Sequence, residues 1–275
     1  MATWFSHHRA AAFGVMISGA SVGGVVLPIM LTRLISEVGF PWTMRALGFL
    51  FLLLLGVTCI TVRPRLPPQP KPFTWTAFRA SFTDAPFLLT VTASFLFVGG
   101  LFLPFTYIGL QAQQRGMDAT LANYLLSIIN AVSIVGRILP GIVADRLGRF
   151  NVMIFIAGLS AVIVLAVWIP GTSNAAIIVF AMIFGFSSGS FISLTPSLVA
   201  QISDIHQIGA RVGNAYAVQS FAALGGSPLA GAIVKASSGD YLGMQVFCGV
   251  CMAAGTTVYL AARWVQVGWK VRKIV

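Results

Sequence analysis

Charge is what this sequence has least of. Asp, Glu, Lys and Arg together make up 8% of its 275 residues, and only six of them are acids. A soluble domain carries roughly a quarter of its residues charged in order to solvate its surface, so this scarcity excludes a water-soluble fold. Cysteine is also scarce. Cys59, Cys248 and Cys251 all fall in apolar runs, and the Cys248-x-x-Cys251 spacing has no second pair to complete a zinc site. They read as small apolar filler. His7 and His8 are adjacent, and His206, the third and last histidine, is far from them in sequence. There is no His-Glu-x-x-His helix, no phosphate-binding glycine loop behind a strand and no nucleophile elbow. The sequence therefore points to no enzyme, no metal and no cofactor.

What is present is apolar mass. Hydrophobic residues account for 57% of the chain and the mean hydropathy is +0.91. A helix rises about 1.5 Å per residue and must cross about 30 Å of hydrocarbon, so this length holds about eight spans. A lipid bilayer is the first expected partner. The net charge of +11 does not imply nucleic acid, because the basic residues lie between apolar stretches and not on one face. Nor does the N-terminus read as a signal peptide: the run from Ala10 to Leu34 is too long for one.

Eight spans are expected, at about 10–32, 43–61, 87–109, 121–143, 152–170, 175–199, 211–234 and 243–263. Asp84-Ala85-Pro86 opens the third as a helix cap, and Pro170 to Asn174 turns the fifth into the sixth. Sorting Lys and Arg by alternate sides places thirteen on the side of the termini and four opposite. That bias makes both termini cytoplasmic and the protein multi-pass. Between Val62 and Ala85, five prolines stand among basic residues, the composition of an extended linker.

Two spans before a linker and six after it is an uneven division, and an internal repeat accounts for it. Arg9, Ser18, Ala20, Gly23, Gly24 and Leu27 recur as Arg211, Ser220, Ala222, Gly225, Gly226 and Leu229, all at an offset of 202 residues. Parallel repeats of this kind build many transporters. If the first span is equivalent to the seventh, one repeat has six spans and the first copy lacks its opening four.

The most informative motif is Gly141-x-x-x-Asp145-Arg146-x-Gly148-Arg149. Gly148 permits a tight turn, and Asp145 can sit against a neighbouring helix N-terminus, whose dipole favours an anion. The motif resembles the short cytoplasmic-loop signature of the major facilitator superfamily. Within it, Trp4-Phe5-Ser6-His7-His8-Arg9 followed by Ala10 to Gly14 resembles the segment entering the fifth helix of the monocarboxylate-porter family, fungal type. The resemblance implies an all-α membrane protein, a helical bundle of eight transmembrane helices equivalent to helices 5–12 of 12. Residues 1–61 would be the remnant of an N-terminal bundle, 62–86 the cytoplasmic linker, 87–265 a six-helix C-terminal bundle and 266–275 a tail. It further implies a secondary transporter, placed in the plasma membrane, moving a small carboxylate or carboxylated metabolite. The alternative is a truncated, inactive fragment, with a missing N-terminal bundle as its partner.

Arg137 is the leading candidate for substrate binding. A guanidinium inside a span must pair or face a polar cavity, and its fork matches a carboxylate. In the resembling family an arginine here binds the substrate carboxylate, with a proton-coupling acid one turn earlier, where this chain has Ser133. No acid lies within a span, which argues against proton symport. Asn130 shares the face of Arg137, being seven residues before it. Tyr216, Gln219 and Ser220 form a polar stripe on the seventh span, and Phe95, Phe102 and Tyr107 an aromatic one on the third. Of these, Tyr107 and Gln219 join Arg137, Asn130 and Ser133 as candidate substrate contacts. Gly19-x-x-x-Gly23 and Gly185-x-x-x-Gly189 read as helix-packing motifs.

Overall fold

The structure, a computed structural model, describes residues 4–5, 8–63 and 74–268, the side chain of Ala77 excepted. Ser6 and His7 of the N-terminal motif, the proline-rich segment 64–73 and the basic tail 269–275 lie outside the described residues. Within the described residues every regular element is helical: α1 (Arg9–Thr61), α2 (Trp75–Ser81), α3 (Ala85–Leu101), α4 (Leu103–Gln114), α5 (Ala119–Leu147), α6 (Arg149–Ile163) with a π-turn at Val164–Trp168, α7 (Asn174–Gln201), α8 (Ile208–Ala236) and α9 (Leu242–Val267).

Seven of these helical runs are long and apolar enough to cross a membrane, not the eight expected. The difference lies in α1, a run of 53 residues in which Gly39, at φ 75° and ψ 166°, is the one break. A loop was expected between the first two spans, but Gly39 alone makes the joint. It supplies the positive φ without steric cost, and Pro41 then falls in the opening turn of the second piece, where its missing N–H is not needed. Arg33 and Glu37 are thus helical. The second piece is exposed along almost its whole length, with Leu52 and Ile60 among the residues most open to the surroundings.

The third expected span is broken too. Pro104 cannot donate to the carbonyl of Gly100, four residues earlier, and the chain steps from α3 to α4 at Phe102. The Gly100 carbonyl accepts instead from the Cys248 thiol of α9, at 3.2 Å. Pro140 releases the Gly136 carbonyl in α5 in the same way, and the Ser190 hydroxyl of α7 donates to it at 2.7 Å. Such repairs are obligatory where no water can serve the freed group.

Helix α2 lies inside the segment expected to be an extended linker. Its aromatic residues explain it: Trp75 and Phe78, with Phe82 just beyond the helix, meet edge-on or tilted in series down to Phe87 of α3, and the Asn214 amide of α8 donates to the Ser81 hydroxyl at 3.1 Å. Asp84 does cap α3 by position, with Pro86 in the first turn, but its carboxylate pairs with Arg211 of α8 instead of the helix amides.

The closest pairings are α3 with α9, α5 with α7, and α1 with α5. Helix α5 approaches both neighbours at backbone distance. A methyl on Gly136 or Gly185 would overlap the carbonyl of Phe186 or Ile129 across the α5–α7 seam, and one on Gly14 would overlap the Arg137 carbonyl across α1–α5. The Gly185-x-x-x-Gly189 motif therefore packs as expected, whereas Gly19 meets nothing within 4 Å and Gly23 only a side chain of its own helix. The face of α1 that packs is carried by Gly14, Ser21 and Gly24. In the repeated pair Gly23-Gly24 and Gly225-Gly226, the second glycine makes the contact in both copies, against Asn130 and Gly99 respectively.

Candidate functional site: a cavity, a polar seam and a helix-end clasp

A cavity of about 290 Å³ opens between α3, α7 and α8. Its walls are mostly apolar, from Val98, Leu101, Phe102, Phe191, Ile192 and Ala223, and its polar groups are Thr195, Tyr216, Gln219 and Ser220. Phe102 and Tyr216 are 39% and 44% exposed and form the rim, whereas Gln219 is 7% exposed and sits at depth. The Gln219 Nε2 has no hydrogen-bond partner among the described residues. No charged side chain lines this space.

The second feature is a polar seam between α1 and α5. The Ser21 and Ser133 hydroxyls are hydrogen-bonded at 2.6 Å, and both are buried. One turn earlier the Asn130 amide donates to the Leu126 carbonyl at 2.9 Å and lies against Gly24. One turn later Arg137 Nη1 donates to the Ile17 carbonyl at 2.6 Å, while its Nε is buried without a partner among the described residues. Helix α5 continues to Leu147, ten residues beyond Arg137. The guanidinium thus starts about 15 Å from the helix end, and it is turned into the seam.

The third feature is a clasp at the end of the bundle. His8 is the N-cap of α1 but makes no side-chain cap bond. Asp145 of α5 supplies what is missing: its two oxygens accept from the Ala10 and Ala11 amides at 3.1 and 3.0 Å. An anion at this point satisfies two orphan donors and the positive end of the helix dipole together. Arg149 pairs with the same carboxylate at 3.0 Å, and Arg9 Nη1 donates to the Ala200 carbonyl in the last turn of α7 at 3.2 Å. Gly148, at φ 96°, makes the turn that carries α5 into α6, and Gly141 lets the Ala10 carbonyl approach where a methyl would meet it at 2.7 Å. Arg146 is exposed beside His8.

The structure gathers Asn130, Ser133 and Arg137 on one seam and separates them from the other two candidates. Gln219 belongs to the cavity. Tyr107 is elsewhere on α4, its hydroxyl donating to the Ser227 carbonyl at 3.1 Å and its ring edge-on to Tyr241. Helix α7 stands between seam and cavity, presenting Ser190 and Ser193 to the α5 backbone and Ile192 and Thr195 to the cavity. Thr195, with Phe191, Ile192 and Ala223, went unremarked in the sequence. The signal for Thr195 was the small-polar content of α7, which looks the same on its packing and cavity faces; the three apolar residues carried none.

A bundle of membrane-length helices, broken by prolines and enclosing a part-polar cavity, defines a polytopic helical membrane protein. The chain matches the Major Facilitator Superfamily over residues 1–176 and 112–273, and it belongs to that family. It is 47% identical over 263 residues to "MFS-type transporter 1" of Ophiocordyceps sp. (strain BCC 1869), covering 96% of this chain and 59% of the relative. It is 48% identical over 261 residues to "MFS-type transporter" of Gibberella moniliformis, covering 95% and 63%. It is 39% identical over 264 residues to "Fujikurins efflux protein" of Gibberella fujikuroi, covering 96% and 57%. The chain thus spans about three-fifths of the length of the curated relatives it matches.

Proposed function

We propose that this chain forms the cargo-binding part of a secondary transporter that carries an organic metabolite across a membrane, with efflux as the direction. The observation that carries the reading is the cavity between α3, α7 and α8: apolar walls, a few convergent polar groups and an aromatic rim are what a small-molecule site requires. The family supports transport, and the name of the Gibberella fujikuroi relative supports efflux. The inactive-fragment alternative gains no support from relatives named as transporters. Movement would rock α1 against α5 and α7, with Asp145, Arg149 and Arg9 holding one end of the bundle together between strokes. The plasma membrane, cytoplasmic termini and an N-terminal bundle in which four further helices join residues 1–61 complete the reading.

A carboxylated cargo is the second reading, and the unpartnered buried Nε of Arg137 favours it. The monocarboxylate-porter resemblance, carried by Trp4 to Gly14, agrees with that reading, and the name of the Gibberella fujikuroi relative speaks of efflux without naming a carboxylate. The test is transport by the chain in proteoliposomes of a panel of aromatic metabolites, neutral and carboxylated, followed by mass spectrometry. At least one compound should cross, and Ala223→Trp, which fills the cavity, should block it. Equal leakage through both proteins would sink the transport reading. Arg137→Gln should depress carboxylated compounds alone if the second reading holds.

A further inference from the structure

One side chain ties together the ends of all three helices that wall the cavity. Arg211, in the first turn of α8 and 8% exposed, donates through Nη1 to the Ile202 carbonyl at the end of α7, at 2.6 Å. Its Nη2 pairs with Asp84, the cap of α3, and its guanidinium lies over the Phe87 ring at 4.5 Å. Beside it is a small apolar core of Phe87, Val91, Val199 and Ala215, drawn from the same three helices and separate from the main core. Helix α8 meets α3 again beyond the cavity, where a methyl on Gly226 would reach the Gly99 carbonyl at 2.8 Å. The cavity residues of α8, Tyr216 to Ala223, lie between these two points. Tyr216, on the rim, is five residues from Arg211, or about 7.5 Å along the helix.

We propose that Arg211 is the positioning residue of this site: it fixes α8 against α3 and α7, and so sets the width of the mouth at Tyr216 and the largest cargo that enters. This rests on the cavity being the cargo site. Arg211 touches no cargo and acts through α8, with the Gly226 contact as the pivot. The sequence repeat supplies the contrast. Arg9, its counterpart at the offset of 202 residues, donates to the Ala200 carbonyl of the same α7 end, but from α1 on the seam side. Both cations satisfy orphan carbonyls at a helix C-terminus, yet only Arg211 joins the walls of the cavity to one another. Its Nε is buried without a partner among the described residues. A guanidinium with an idle buried donor is a costly tie, and apolar side chains of similar volume hold helices together at least as well. What its planar fork adds is a fixed spacing of three helices at once.

The experiment measures size selection at a thiol placed in the cavity by Ala223→Cys, in the full chain in lipid nanodiscs. Two uncharged reagents are compared, methyl methanethiosulfonate and its bulkier benzyl analogue, with each rate normalised to that for free glutathione. Peptide mass spectrometry separates the introduced thiol from Cys59, Cys248 and Cys251. With Arg211 in place, the methyl reagent should react faster than the benzyl one. Arg211→Gln should raise the benzyl rate and leave the methyl rate unchanged, so that their ratio falls about fivefold or more. Asp84→Asn, which loosens α3 alone, should lower the ratio less, and Arg9→Gln should leave it as it was. Equal rates for the two reagents with Arg211 in place would overturn the proposal, as would an unchanged ratio in Arg211→Gln. A comparable fall in Arg9→Gln, or a rise of both rates together, would show general loosening of the bundle and overturn it too. Should Arg211→Gln fail to fold, Asp84→Asn decides, and an unchanged ratio there removes the tie. If neither reagent reaches the introduced thiol in the otherwise unaltered chain, the cavity reading fails along with the proposal, whereas access without size selection leaves the cavity standing and removes Arg211 alone.

Discussion

Replacing Asp145 by Asn keeps shape and one acceptor oxygen but removes the charge that α1 relies on. In the unaltered chain the carboxylate takes the Ala10 and Ala11 amides at 3.1 and 3.0 Å and Arg149 at 3.0 Å. A hydrogen bond to a charged acceptor contributes about 1.5–3 kcal/mol, and a partly buried anion at a helix N-terminus up to about 2 kcal/mol. These terms overlap, since the amides are the dipole's positive end, and Asn retains part of the first. A net loss of about 2 kcal/mol follows, or roughly a 30-fold shift in the equilibrium for opening the first turn of α1. Amide hydrogen exchange reads this directly. The peptide beginning at His8 should exchange about 30-fold faster in Asp145→Asn, and faster still in Asp145→Ala, with α9 peptides unchanged. Unaltered exchange at Ala10 and Ala11 in both variants would show that α1 is held by packing at Gly14 and Gly141 and that the carboxylate is dispensable.

Glycine substitutions should separate packed from open faces: Gly136→Ala forces α5 off the Phe186 carbonyl and should cost about 1–3 kcal/mol, while Gly19→Ala should raise the melting temperature through helix propensity of about 0.5–1 kcal/mol. Both are read by thermal unfolding in detergent, and equal effects would contradict the assigned seams. Trp168→Phe removes the 2.7 Å bond from the indole Nε1 to Gln111, whose Nε2 is already unpartnered, and should destabilise by about 1–3 kcal/mol in the same assay. Asp118 caps α5, and bonding from the Thr120 side chain and then from the Leu121 and Thr120 amides holds its carboxyl below the ordinary 3.8. A depressed folded value means its contribution is whole above that ordinary value and fades as the pH falls through the folded one. The melting difference between the unaltered chain and Asp118→Ala should therefore be present at neutral pH and shrink on acidification, and a difference that grew with acid would reverse the sign of the argument.

The membrane class was legible because it follows from a local quantity. Hydropathy over about 20 residues reports what a bilayer will accept, and the Gly148 turn acts within a few residues of itself. Asp145 was legible in kind, as an anion suited to a helix N-terminus, because the loop motif and the dipole are both properties of short segments. The joint at Gly39 was missed because a one-residue break leaves hydropathy almost undisturbed, and α2 was missed because proline content outweighed three spaced aromatics.

Helical periodicity put Asn130, Ser133 and Arg137 on one face, and the structure keeps them there. Which partner that face meets is not a local property. Only the tertiary arrangement turned it onto α1 and closed it over Ser21, leaving Gln219 to line a different space across α7. By itself, then, the sequence determined that this protein lives in a bilayer, roughly where its apolar stretches lie and which side chains can share a face. Which of those faces are packed and which are open was decided by helix docking, because lipid is as apolar as a neighbouring helix and hydrophobicity cannot tell one from the other.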